Sequence, residues 1–296
     1  MRARAVRAAD GATLAEHLPE ATAAGVIQRR ETALDVALLC GTPGRRAERA
    51  EAALRQGRHL FLEWPPAASV GEAERLAAHA EEAGAEVGVS RPLRFHPLFA
   101  ALPRGAHVGT VSVQQDVERA GDGRNAVSPF RARLADALDL SVALAGAAGD
   151  EGPAAGRRAG RSVTYLDAQA VRAADGARFE ALLAGLRFAS GTYAQVAVRR
   201  GLTGAPRRRL RAAGHGGFQL GAALDAPGVR VRSGDARDEP RDPSPSSGDG
   251  AFLGALRRRE TRAFLGALQA GRPAPVSLLD AVAVMRLTER LLRQVR

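Results

Sequence analysis

All 43 strongly basic side chains in this sequence are arginines, and there is no lysine. That removes the general-acid ammonium, the Schiff-base nucleophile and the lysine phosphate ligand from its chemistry. Carboxylates and imidazoles are left to move protons. In Leu134-Ala135-Asp136-Ala137-Leu138-Asp139-Leu140 the two aspartates stand one helical turn apart on a common face, where Asp136 can serve as a general base or be a solvated helix residue. The histidines His96, His107 and His215 lack a second ligand at metal spacing, so zinc and iron sites are not expected. His96, within Arg94-Phe95-His96-Pro97, is the histidine to consider for catalysis, with a packing role as its alternative. Trp64 brings an indole N–H and a flat ring that can stack on an aromatic or sugar face, but no acid–base chemistry near neutral pH. The single cysteine, Cys40, ends the apolar run Val36-Ala37-Leu38-Leu39-Cys40 and reads as a small buried hydrophobe.

The elements that must hold these groups come from pattern and punctuation. A length of 296 residues fits two domains better than one core. The 45% hydrophobic content is spread without any run long enough to cross a bilayer. The basic start, Met1 to Arg7, lacks the apolar core of a secretion signal, so a cytoplasmic location is expected. A net charge of +11 raises nucleic acid as a partner. The arginines are nevertheless scattered among acidic residues and aromatics make up only 4%, so nucleic acid is not expected.

Val36 to Cys40 reads as a parallel strand buried on both faces. Thr42 and Pro43 then start a helix that Gly57 ends. His59 to Leu62 is a second strand, Ser69 and Glu72 form a capping box for a second helix, and Glu86 to Val89 is a third strand. Strands alternating with helices in this way build an open parallel sheet. After Arg91 the texture changes. Gly109 to Val117 alternates apolar and polar residues like a strand with one wet face. A helix near Arg131 to Ala145 follows, then strands at Ser162 to Leu166, Glu180 to Phe188, Tyr193 to Arg199 and Arg207 to Ala212, as in an α+β domain. Ser233 to Gly250, rich in Pro, Ser, Gly and Asp, reads as a long surface loop. Ser277 and Asp280 start a closing helix with Val284, Leu287, Leu291 and Leu292 at helical spacing.

Asp35 to Phe99 resembles the second half of the nucleotide domain of the Gfo/Idh/MocA oxidoreductase family. The strand ending in Thr42-Pro43, the helix closing with Ala53-Leu54-Arg55-Gln56-Gly57-Arg58-His59, the tripeptide Glu63-Trp64-Pro65 and Arg94-Phe95-His96-Pro97 occur in the family's order. Gly109 to Val117, Leu186 to Gly191 and the ending Phe264 to Leu287 are similar to its sheet domain and closing helix. The resemblance implies an incomplete Rossmann-like parallel-sheet domain over residues 1–98. An α+β domain with a largely antiparallel open sheet would follow over 99–296, its helix at 277–294 packing back on the first domain. It implies NAD(P) as cofactor, met by Thr42, Pro43, Glu63 and Trp64, with His96 near the cleft. It further implies a small-molecule ligand or a full-length relative as partner, and homo- or hetero-oligomerisation through the second-domain sheet.

Three departures set this chain apart from the family. No G-x-G-x-x-G is present, and the nearest candidate, around Asp10 and Gly11, puts a carboxylate where a diphosphate must approach; alternatively Asp10 ends the family's second strand, where an acidic residue binds the ribose. The family's catalytic lysine position holds Trp64. Its aspartate and catalytic histidine positions hold Ala132 and Asp136, while Asp139 keeps a structural place. The expectation is a divergent, N-terminally shortened member with degenerate cofactor and catalytic motifs, acting as a pseudoenzyme, scaffold or non-redox binding protein. The alternative is an active NAD(P)-dependent oxidoreductase of a sugar, polyol, keto-sugar or imine with an atypical proton donor.

Overall fold

Apolar runs bounded by capped helices build the first of two units in this chain. A computed structural model describes residues 13–17, 24–28, 35–103, 105–117, 129–146, 161–174, 179–200, 207–232 and 249–295. One unit draws on Met1–Phe95 and Leu253–Arg286, the other on His96–Phe252 and Leu287–Arg296. In the first, β3 (Asp35–Leu39), β4 (His59–Leu62) and β5 (Val87–Val89) lie parallel and adjacent. The helices α1 (Pro43–Leu54) and α2 (Val70–Glu82) return the chain between them. The strands are covered on both faces, which is why their residues read as unbroken apolar runs. Ala37, Leu39, Leu60, Leu62 and Val89 pack with Ala50, Leu54 and Leu76 of the two helices and with Leu278 and Ala281 of α6 (Leu278–Gln294). Val36, Leu38 and Phe61 pack with Phe264 and Leu268 of α5 (Asp249–Gln269) on the other face.

Both capping motifs form as expected. Ser69 Oγ accepts the N–H of Glu72 at 3.2 Å, and the Glu72 carboxylate accepts that of Ala68 at 2.9 Å. Asp280 N–H donates to Ser277 Oγ at 3.2 Å while Ser277 N–H donates to the Asp280 carboxylate at 3.1 Å. Each stabilises its helix by roughly 1 kcal/mol. Gly88 in β5 is required by close approach: a Cβ there would sit 2.7 Å from Phe264 and 2.9 Å from Phe61. The two rings meet over it at 5.0 Å between centroids.

The expected parallel sheet is present in β3, β4 and β5, and two antiparallel strands extend it beyond β3. Preceding β3 are β1 (Thr13–His17) and β2 (Ala24–Gln28), and β1 pairs with β2, and β2 with β3, antiparallel. Only residues 18–23 separate β1 from β2. That is a turn's length, whereas a parallel return needs a dozen residues or more. Asp10 and Gly11 lie outside the described residues.

The second unit is a seven-stranded sheet in the order β12-β11-β10-β6-β9-β8-β7. Its strands are β6 (Val108–Val117), β7 (Val163–Arg172), β8 (Phe179–Phe188), β9 (Tyr193–Arg200), β10 (Arg208–Gly214), β11 (Gln219–Ala223) and β12 (Val229–Arg232). Only β6 and β9 pair parallel, which matches the expected, largely antiparallel open sheet. Five of these strands follow the sequence pattern, whereas β11 and β12 were not anticipated, being short and rich in Gly and Arg. The short α3 (Pro97–Ala100) opens the unit, and α4 (Pro129–Ala145) packs along β6 and β9. Val111, Val113, Val196 and Val198 are buried on the helix side of the sheet, while Thr110, Ser112, Tyr193 and Gln195 point out of the opposite side and are exposed. Of the expected loop at Ser233 to Gly250, residues 233–248 lie outside the described residues, and Gly250 belongs to α5. No helix among the described residues is long and apolar enough to cross a membrane.

Candidate functional site

The carboxyl ends of β3 and β4 present Gly41-Thr42-Pro43 and Glu63-Trp64-Pro65, the place where open α/β sheets carry their ligands. Thr42 is the N-cap of α1 with Pro43 in its first turn. Gly41 has φ +100°, a conformation that excludes a Cβ. Glu63 N–H donates to Leu39 O at 3.0 Å, tying this turn to β3.

Arg46 locks the two turns together. It is 2% exposed and donates to Glu63 O at 2.8 Å, to Pro65 O and to Gly41 O. Its guanidinium lies 3.6 Å from the half-exposed Glu63 carboxylate. Three donations from a rigid fork to backbone carbonyls make a buried guanidinium tolerable.

Trp64 is half-buried and bridges two apolar clusters, one with Leu62 and Leu76 and one with Ala67, Val282 and Met285. The Arg91 guanidinium lies over its ring, 3.4 Å from the centroid, a cation–π contact of about 1–2 kcal/mol when desolvated. Arg91 is placed by its own backbone, whose N–H donates to the Glu260 carboxylate; Ser90 Oγ donates to the same carboxylate at 2.8 Å. Glu260 itself is 2% exposed.

In the second unit Asp136 is half-buried and lies between two arginines. Its carboxylate lies 3.4 Å from Arg208 and 3.7 Å from Arg133. Arg208 also donates through Nε to Gln115 Oε1 at 2.9 Å, and Gln115 is fully buried. Asp139 is buried in α4.

His96, on the same unit, commits both ring nitrogens. Nδ1 accepts the N–H of Leu98 at 3.1 Å, which fixes the proton on Nε2. Nε2 then donates to Ala226 O at 2.8 Å and Ala223 O at 3.0 Å. Burial lowers the imidazole's pKa below 6.5, with the Arg208 charge adding to this, while the two carbonyls and Asp225 pull the other way. The group is a neutral staple joining α3 to the end of β11.

The first unit thus gathers Thr42, Pro43, Glu63 and Trp64 on adjacent strand ends, and the second gathers Asp136 with Arg208 and Gln115. Sequence reasoning missed Arg46, Arg91 and Arg208. Two of them left a signal. Arg46 interrupts the apolar stripe formed by Ala47, Ala50, Ala53 and Leu54, and Arg208 takes the inward register of Leu210 and Ala212. Arg91 left none, because its partner Trp64 lies on a separate strand end.

As a test of fit for a dinucleotide, the strand ends that would meet its nicotinamide half are built. The described residues form no helix after β1 whose N-terminus could hold a diphosphate.

Residues 2–91 match the GFO_IDH_MocA model, described as an oxidoreductase family with an NAD-binding Rossmann fold. No curated protein matches the chain. Among solved structures, UDP-N-acetylglucosamine 3-dehydrogenase from Acidithiobacillus ferrooxidans is 19% identical, with a TM-score of 0.66 over 89% of this chain and 79% of that one. Biliverdin reductase from Synechocystis sp. PCC 6803, in complex with biliverdin and NADP+, is 20% identical, with a TM-score of 0.62 over 88% and 78%. Aldose-aldose oxidoreductase from Caulobacter crescentus, complexed with glycerol, is 18% identical, with a TM-score of 0.64 over 90% and 78%. Likeness at this identity establishes the fold.

Proposed function

We propose, from the premise that this chain has the fold of the Gfo/Idh/MocA oxidoreductases and carries a match to their NAD-binding domain, that it is a binding protein on a dehydrogenase scaffold rather than a hydride-transfer enzyme. The observation that carries this is the Arg91 guanidinium stacked 3.4 Å over Trp64 at the family's lysine position. A guanidinium keeps its protons and an indole has none to give at neutral pH, so this pair cannot protonate a reacting oxygen; with Arg91 buried against the ring, the half-buried Trp64 is the member left to meet a flat ligand. Asp136, at the histidine position, is engaged by Arg208 and Arg133, which favours an anchoring role over proton shuttling.

The match of residues 2–91 to an NAD-binding domain favours a second reading, an active NAD(P)-dependent oxidoreductase of a sugar, polyol, keto-sugar or imine. Trp64 is the only tryptophan, so its emission reports directly on this turn. Titration with NADH and NADPH, for the native chain and Trp64→Lys, separates the two readings. The binding-protein reading expects no reduced-nucleotide consumption with keto-sugars or imines by the native chain. Submillimolar nucleotide binding accompanied by turnover would sink it.

On the outward side of the second sheet, Tyr165, Val171 and Leu183 are exposed on two adjacent strands. We take this apolar half as the surface on which a second copy docks. Sedimentation of Leu183→Asp against the native chain tests it, with loss of a dimer expected.

A further inference from the structure

On the same outward face, a different half carries arginine. The register sets Ser112, Arg211, Gly221 and Arg230 in one row across β6, β10, β11 and β12, with Gln195 of β9 continuing it beyond Ser112. Neighbouring strands are about 4.8 Å apart, so Arg211 and Arg230 stand roughly 10 Å apart with a glycine between them. A Cβ built on Gly221 meets nothing within 4 Å, so the gap between the two guanidinium stems is open space. A glycine inside a strand, away from any turn, is where a ligand can come close to the backbone.

This gap is the floor of a hollow of about 630 Å³ whose rim includes Tyr193, Gln195 and Arg232, with no acidic side chain lining it among the described residues. That volume suits a small organic molecule. The Tyr193 ring and the Gln195 amide offer an apolar contact and a neutral hydrogen-bonding group for its body. The two forks across Gly221 match the planar, two-oxygen edges of a phosphate. Asp136 and Arg208 belong to the helix side of this sheet, so the hollow is separate from the site described above.

We propose that this hollow is a binding site for a small phosphate-bearing molecule, with its anionic group seated over Gly221 between Arg211 and Arg230. Inorganic pyrophosphate is the probe. Calorimetric titration of the full chain should show submillimolar binding. Gly221→Val keeps every charge and meets no atom at its Cβ, so it should fill the cradle and weaken binding at least tenfold without lowering the melting temperature. Arg211→Gln should weaken it similarly. Arg187→Gln removes an equal charge from the other half of the same face and should leave binding unchanged.

Absence of binding by the native chain overturns the proposal. So does equal weakening by Arg187→Gln and Arg211→Gln, which would mean diffuse attraction. Binding that ignores both Gly221→Val and Arg211→Gln belongs to another part of the chain and overturns it as well. Should Gly221→Val fail to fold, the two arginine variants carry the decision.

Discussion

The turn around Trp64 and the outward face of the second-unit sheet are both built with arginine, and they use it in opposite ways. Arg46 and Arg91 are 2% and 3% exposed and hold backbone or an indole ring. Arg209, Arg211 and Arg232 stand exposed in a ladder of strands. The same side chain is structural where its donors meet carbonyls away from water, and a ligand group where water keeps it solvated. In a chain without lysine, burial rather than residue type separates the two roles.

Arg46→Met removes the donor to Gly41, Glu63 and Pro65 carbonyls and leaves those oxygens around an apolar stem. A loss of about 3–5 kcal/mol in first-unit stability is expected in urea unfolding. A loss under about 1 kcal/mol would mean that the clamp is incidental. Gly88→Val comes next, since its Cβ lands within 3 Å of both Phe61 and Phe264. Overpacking of this kind costs about 1–3 kcal/mol. Combining it with Phe264→Leu should recover part of the loss, because the two sites share one contact; strict additivity in the double-mutant cycle would show that Phe264 is not what the valine meets.

How much of this could be read from sequence follows the same division. Strands buried on both faces left continuous apolar runs, so β3 and β4 and the helices returning between them were legible, as were the capping pairs Ser69-Glu72 and Ser277-Asp280. The antiparallel pairing of β1 with β2 and of β2 with β3 was not, because the short connections at 18–23 and 29–34 imply that direction only once β1 and β2 are recognised as strands, and neither was. The strands β11 and β12 were missed because Gly221 and Arg230, the residues that make their outward row useful, are those a strand pattern penalises. At the site, Glu63-Trp64-Pro65 was legible as a motif. The arginine over Trp64 was not, since only the fold brings Arg91 back from the end of β5.

His96 differs from both sets of arginines, because imidazole can discard its charge where guanidinium cannot. Burial lowers its folded pKa below 6.5, so the unfolded chain binds the proton more readily. The stability it contributes is fully present above about pH 6.5 and declines as pH falls from there through the folded pKa. Protonation would set a new Nδ1–H against the Leu98 N–H that now donates to it. Unfolding of the native chain and of His96→Asn, followed from pH 8 to pH 5, should show the native advantage shrinking toward acid. An advantage that grows toward acid would mean that the imidazole is held charged, and the neutral staple would be wrong.

The smallest effect belongs to the exposed arginines. Arg209→Gln, on the outward face where Arg209 pairs in register with Gln114 and Ala223, should move the unfolding free energy by less than about 0.5 kcal/mol. If it instead costs as much as Gly88→Val, the outward arginines are holding the sheet together. The ladder would then resemble the Arg46 clamp, and exposure would not divide structural arginines from ligand-binding ones.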